Sequence, residues 1–285
     1  MGSAVGSPGC GGLYIGNPAD GPIGEEECCA RMLYGLISDI HGNYEALRSV
    51  IEDMDAQGAE RIICLGDVVG YGPQPGECLD LVQRCGAVLM GNHEEALLFG
   101  AENFNPRARR AIEWTREHLE SSGDEETRRQ RWGILNNLKM HAKHGIYVFL
   151  HASPRQPTRE YIMPRDTRNP EKMREIFSLF PNVCFVGHTH VPGVFLENLT
   201  FTHPRELFGK TYFVDPKEKA VINVGSVGQP RDGDVRACYA LLDDDPAMPR
   251  VQFRRVEYDL EATVAAIVAN PAIDNHLGAR LRKGK

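Results

Sequence analysis

Eight side chains able to bind a metal or move a proton fall into five short clusters: Asp39-Ile40-His41, Gly66-Asp67, Gly91-Asn92-His93-Glu94, His151 and Gly187-His188-Thr189-His190. Asp39, His41, Asp67, Asn92, His93, His151, His188 and His190 offer carboxylate, imidazole and amide oxygen, the ligand types of first-row transition metals. Eight such groups suffice for a pair of ions and a separate acid. Singly, most of the clusters are ordinary. Gly66-Asp67 has the form of a turn, Asn92-His93-Glu94 that of a helix start, and His151 alone that of a core histidine. Gly187-His188-Thr189-His190 is the least ambiguous, because histidines at i and i+2 on an extended loop point the same way. Five such signals in fixed order outweigh the plain reading of each.

Each cluster follows a short apolar run. Residues 33–38, 61–65, 87–90, 146–150 and 183–186 are bounded by Gly or polar residues, the pattern of strands buried on both faces. Helix-like stretches at 43–57 and 75–84 separate the first three runs, so the order predicts parallel βαβ units. In open α/β sheets, ligands bind outside the carboxyl ends of strands. Five clusters at five such ends therefore predict one shared crevice.

The ordered set resembles the calcineurin-like metallophosphoesterase superfamily, whose motifs read D-x-H, G-D, G-N-H-[DE], H and G-H-x-H. The likeness runs over about residues 32–260, and the stretches 66–73 and 223–234 resemble a bacterial branch of predicted phosphoesterases. The resemblance implies an α/β four-layer sandwich of two mixed β-sheets flanked by helices. It implies two divalent transition-metal ions (Mn, Fe, Zn or Ni), one held by Asp39, His41, Asp67 and His190, the other by Asp67, Asn92, His151 and His188. Asp67 would bridge them, and a metal-bridging hydroxide would attack a phosphomonoester or phosphodiester in line with its leaving group. His93 would be the general acid, oriented by Glu94 or a nearby acid. A dinucleoside polyphosphate hydrolase using the same site, or a non-catalytic scaffold keeping the fold, are the alternatives; the intact ligand set argues against the scaffold.

The departures from relatives narrow this reading. The serine/threonine phosphatases of the superfamily have Asp-Arg where this chain has Gly70-Tyr71, and Arg where it has Met90. Two phosphate-clamping arginines and the acid that pairs with the catalytic histidine are thus missing, which lowers the case for a protein phosphatase. Arg231, in a Gly-rich loop, is the leading substrate-binding candidate, with Arg107, Arg109 and Arg110 behind it.

The chain's 285 residues and 42% hydrophobic content give ample length for one large domain, 32–285, with a helical insertion at about 99–140. The short β-rich runs after residue 193 predict an antiparallel second sheet. A C-terminal helix follows at 260–268, with a basic tail at 277–285. The net charge of −7 argues against nucleic-acid binding, while bound cations would reverse the sign locally for a small anionic phosphate ester. No stretch reaches transmembrane length, so no membrane partner is expected. Residues 1–31 read as a disordered Gly/Pro-rich tail without a secretory signal. The eight cysteines show no Cys-x-x-Cys spacing and fit reduced, cytoplasmic thiols.

Overall fold

The computed structural model describes Tyr14–Ile15 and residues 31–285. Most of the tail expected to be disordered, with Cys10, Cys28 and Cys29, lies outside the described residues. After β1 (Tyr14–Ile15), strand and helix alternate: β2 (Leu33–Ile37), α1 (Tyr44–Gln57), β3 (Arg61–Cys64), α2 (Pro75–Leu81), β4 (Ala87–Val88) and α3 (Asn92–Phe99). Two further helices follow, α4 (Pro106–Ser121) and α5 (Glu125–Asn136), then β5 (His141–His144), β6 (Tyr147–Leu150), α6 (Pro170–Ser178) and β7 (Val183–Val186). The remainder comprises β8 (Gly193–Leu196), β9 (Phe201–Thr202), β10 (Thr211–Phe213), β11 (Ala220–Asn223), β12 (Ala237–Asp243), β13 (Arg250–Val256), α7 (Leu260–Ala269) and α8 (His276–Leu281).

The strands form two mixed sheets. One has seven strands in the order β1-β5-β6-β7-β11-β8-β9, and the other six in the order β10-β13-β12-β2-β3-β4. Strands β2, β3 and β4 are parallel, as are β6, β7 and β11. The late strands do not make a sheet of their own, contrary to the sequence expectation. Strand β12 pairs antiparallel with β2 and carries β13 and β10 into the six-stranded sheet, while β11 and β8 extend the other. Alternation alone identifies a strand, but its partner depends on contacts distant in sequence.

Period-two alternation explains the layering. Leu36, Ile63, Ala240 and Leu242 from one sheet meet Phe149, Phe185, Ala220 and Ile222 from the other in a continuous buried layer. The Phe149 and Phe185 rings stack there with centroids 5.2 Å apart, and burying each is worth about 1.5–3 kcal/mol. The neighbouring residues face outward. Ile37, Cys64, Tyr239 and Leu241 meet the apolar faces of α1, α2 and α5, whereas Val148, Leu150, Cys184 and Val186 meet Met173, Ile176 and Phe177 of α6. The four layers are therefore helix, sheet, sheet, helix.

Helix α1 shows how locally the elements are specified. Asn43 caps it by accepting the Ala46 N–H, its buried stripe is Ala46, Leu47, Val50, Ile51 and Met54, and Gly58 ends it at φ +78°. The expected basic tail is instead structured: α8 buries Leu277 and Leu281 against Val264 and Ile267 of α7 and Ala111 of α4. Among the described residues, no helix is long and apolar enough to cross a membrane.

Candidate metal centre

Five of the site loops leave carboxyl ends of strands, three from one sheet and two from the other. Backbone hydrogen bonds weld them together. Asp39 N–H donates to the Gly66 carbonyl (3.0 Å), His41 N–H to Asp67 (2.9 Å) and Gly187 N–H to His151 (2.8 Å). Across the sheets, the His188 N–H donates to Asp39 Oδ2 at 2.9 Å. Contact is close enough to require glycine. A Cβ on Gly91 would lie 2.1 Å from Asp67 Oδ1, and one on Gly187 would lie 2.0 Å from Ser38 Oγ.

The backbone is strained where the candidate ligands sit. Asp39, His41, Asp67, Tyr71, His188 and His190 all have φ between 50° and 63°, and among the described residues only Leu199 and Lys210 share that conformation without being glycine. Each such residue costs on the order of 1–3 kcal/mol and persists only where surrounding contacts hold it.

The imidazoles are oriented from behind. His41 Nδ1 faces the Val69 carbonyl (3.3 Å), His190 Nδ1 the Gln229 carbonyl (2.6 Å), His151 Nδ1 the Leu65 carbonyl (3.1 Å) and His188 Nε2 the Arg159 carbonyl (3.2 Å). A carbonyl only accepts, so each of these nitrogens carries the proton and the other presents a lone pair. The result is two facing pairs: His41 Nε2 to His190 Nε2 at 3.2 Å, and His151 Nε2 to His188 Nδ1 at 3.1 Å. Asn92 Oδ1 lies 3.1 Å from His151 Nε2.

The carboxylates complete the two pairs. Asp39 Oδ1, buried and without a hydrogen-bond partner, is 3.2 Å from His190 Nε2. Asp67 Oδ1 accepts the His93 N–H at 2.8 Å, which leaves Oδ2 between the pairs, 3.7 Å from His41 Nε2 and 3.4 Å from His151 Nε2. Lone pairs facing at such distances repel unless a cation or proton lies between them, and this donor set of imidazole, carboxylate and amide fits divalent transition metals. Among the described residues, three groups have ligand atoms within 4.8 Å of one another: Asp39-His41-His190, Asp67-His151-His188 and His41-Asp67-His93.

Charge balance follows the same plan. Burial works to raise Asp39 and Asp67, but His190 beside the first and His151 beside the second hold both carboxyls below their usual range. Burial depresses His41 and His190, and it takes His188, with the charge of His151 beside it, down to about 3. His151 is the exception. Burial opposes its charging, yet Asp67 raises it to about 9, so without metal a proton on His151 compensates the buried carboxylates.

His93 and Glu94 part company. Glu94 does not orient His93, as the sequence had suggested. Its buried carboxylate accepts the N–H groups of Asp67 (2.8 Å), Val69 (3.0 Å) and Gly91 (3.0 Å), fixing the Asp67 loop to the start of α3. Burial and then the charge of Asp67 push Glu94 up to about 7. His93 Nδ1 is buried with no hydrogen-bond partner, and a Cβ on Gly70 would lie 2.1 Å from it. Glycine at 70 thus closes the space an orienting acid would need. The His93 ring is held by edge contacts with His41, Tyr71 and Phe104, at centroid distances of 4.6, 4.5 and 5.2 Å.

An open cavity of about 290 Å³ lies over the cluster, with Asp67, Asn92, His93, His188 and His190 in its lining. Arg231 lines it too, its Nε buried without a partner and its terminal N–H on Gln229 Oε1 at 2.8 Å. The other arginine candidates do not reach it. Arg107 pairs with Asp274, Arg109 donates to the carbonyls of Ala101 and Glu102, and Arg110 is exposed. Sequence reasoning missed Tyr161, Arg159 and Phe104 on the cavity wall. The Tyr161 ring lies tilted against that of His188 with centroids 3.9 Å apart, and Arg159 is held by Glu95. The one sequence signal for Arg159 and Tyr161 is position, in the loop that follows β6, whereas Phe104 lies between α3 and α4.

Residues 32–245 match the calcineurin-like phosphoesterase superfamily domain. The chain is 36% identical to a metallophosphoesterase from Sphaerobacter thermophilus of known structure, covering 90% of this chain and all of that one, with a TM-score of 0.73. It is 34% identical to the uncharacterized protein MJ0912 of Methanocaldococcus jannaschii over 90% of this chain and 99% of the relative. The hypothetical protein PH1004 of Pyrococcus horikoshii OT3 shares the fold at 19% identity and a TM-score of 0.66, covering 89% of this chain and 99% of that one.

Replacing Glu94 with Ala orphans three buried N–H groups, each costing about 1–3 kcal/mol. Thermal denaturation of the metal-free variant should therefore fall well below wild type, and an unchanged midpoint would contradict this role.

Proposed function

The chain belongs to the calcineurin-like phosphoesterase superfamily, and on that premise we propose that it hydrolyses phosphomonoesters or phosphodiesters at a centre of two divalent metal ions. The observation that carries this reading is the two pairs of facing imidazole nitrogens, His41 with His190 and His151 with His188, with Asp67 Oδ2 between them. Asp39, His41, Asp67 and His190 hold one ion, and Asp67, Asn92, His151 and His188 the other. Mixed nitrogen and oxygen donors suit Mn, Fe, Zn and Ni alike. Two such ions supply charge neutralisation at the phosphoryl oxygens and a water acidic enough to attack in line at neutral pH.

The chain's own residues do the rest. Arg231 binds the substrate's phosphate oxygens, its buried Nε and cavity position leaving a donor ready for an anion. His93 protonates the leaving oxygen. Burial depresses it to about 4 although Asp67 opposes this, and the negative charge of a bound ester acts in the same direction as Asp67. Tyr71 and Phe104 fix the ring and exclude water around it. We place the enzyme in the cytoplasm, where the unpaired thiols Cys64, Cys78, Cys85, Cys184 and Cys238 stay reduced.

Protein loaded with Mn2+, Ni2+ or Zn2+ should turn over p-nitrophenyl phosphate, bis-p-nitrophenyl phosphate or diadenosine tetraphosphate. Silence on all three with all three metals would sink the proposal. His93→Ala should keep its metals, counted by elemental analysis, while kcat falls by about 10²–10⁴; lost metal would make His93 a ligand. Metal uptake near pH 7 should release about one proton, because His151 is charged below a pKa of about 9 and must deprotonate to bind. Affinity should thus weaken as pH falls. Calorimetry in buffers of different ionisation enthalpy measures the proton, and uptake without release would contradict the charge assigned to His151.

A further inference from the structure

Resting on the phosphoesterase reading, we propose that Tyr161 is a stacking platform beside the metal centre, selecting esters whose alcohol portion carries a planar aromatic ring.

One side of the Tyr161 ring lies against His188, a candidate metal ligand, at a centroid distance of 3.9 Å. The residue still keeps 48% of its surface exposed, and it lines the cavity over the cluster. Its backbone is held in place from both directions. The Tyr161 carbonyl accepts Lys172 Nζ at 2.6 Å, and Lys172 is itself fixed by Asp166. Just before it in the chain, Glu95 of α3 accepts the Thr158 hydroxyl at 2.7 Å and the Arg159 guanidinium at 2.8 Å. The Arg159 carbonyl in turn takes the His188 ring N–H. An open ring on a loop anchored in this way is ordered before a ligand arrives, so stacking on it costs little further entropy.

The cavity has room for more than the reacting group. Its volume of about 290 Å³ lies at the lower end of small-molecule sites, roughly 300–1,000 Å³, and a phosphoryl group alone does not fill it. The leaving oxygen departs toward His93, whose ring meets Phe104 edge-on at 5.2 Å. The alcohol portion therefore enters the part of the cavity walled by Glu95, Asn103, Phe104, Asn105, Arg159 and Tyr161.

The chemistry of that wall points to the ligand class. Glu95 and Arg159 neutralise one another across 2.8 Å, so a second anion finds no cation of its own there. The Asn105 amide oxygen is taken by the N–H groups of Arg107 and Ala108, which leaves that side chain only donors to offer. Two aromatic rings with amide donors and no net charge suit a neutral planar ring, which gains from offset or edge-on contact as well as from burial.

Benzylphosphonate and cyclohexylmethylphosphonate form a matched probe pair, equal in charge, close in bulk and without an ester to hydrolyse. Apolar burial alone favours the saturated ring, so tighter binding of the benzyl compound reports stacking. Calorimetric titration into the full chain loaded with Mn2+ should show benzylphosphonate binding about fivefold more tightly, the scale of one aromatic pair. Tyr161→Phe should keep that preference, and Tyr161→Leu should erase it. Both probes share the phosphonate, so a change in metal affinity moves them together and leaves their ratio intact. Equal affinities in the wild type, tighter binding of the saturated ring, or a preference surviving in Tyr161→Leu would overturn the platform. Turnover of p-nitrophenyl phosphate by the same preparation separates the two readings. Its absence alongside a Tyr161-dependent preference would count against the phosphoesterase and for the platform, and turnover without any preference would do the reverse.

Discussion

Four histidines whose outer nitrogens are pinned to backbone carbonyls present their inner lone pairs to one another at 3.1–3.2 Å. That arrangement is repulsive by itself. It is tolerable because carboxylates lie beside it and because a proton on His151, or a cation, can lie within it. Much of the architecture around the site follows from holding these pairs. Strand ends from both sheets must converge, glycines must let loops touch, and six residues must occupy the left-handed region. The four-layer sandwich supplies the compensating burial through its inter-sheet core.

The position of Glu94 illustrates how the site is stiffened without adding ligands. Its carboxylate gathers three amides from two loops, so Asp67 and the start of α3 move as one body. His93 is managed differently. With glycine at 70 there is no space for an acid behind its ring, and orientation comes from aromatic edges instead of a hydrogen bond. Packing fixes the ring plane as firmly but leaves its basicity to burial and to whatever occupies the cavity.

Much of this was legible in the sequence because it is local. Apolar runs marked β2, β3, β6 and β7 to within a residue or two, the apolar stripe at helical spacing marked α1, and clusters at strand ends marked the candidate site. What was not legible depends on pairing across long separations. The alternation of β11 and β12 is equally compatible with one late sheet, and only contacts with β7 and β2 divide them. Segment 277–285 read as a basic tail because a six-residue helix with two apolar anchors is too short a pattern to register. Arg107 stood behind Arg231 as a candidate, and tertiary structure separates them fully, giving the first an aspartate and the second a cavity.

The facing pairs also join parts of the chain far apart in order. His41 meets His190 across 149 residues, and the His151 ring meets the Leu65 carbonyl across 86. Closing loops of that length costs entropy, which the packing of the two sheets offsets. A cation bound there acts as a reversible cross-link between the sheets, stabilising the native state in proportion to the logarithm of its concentration. In a cell, scarcity of metal would then shorten the lifetime of the protein as well as silence it.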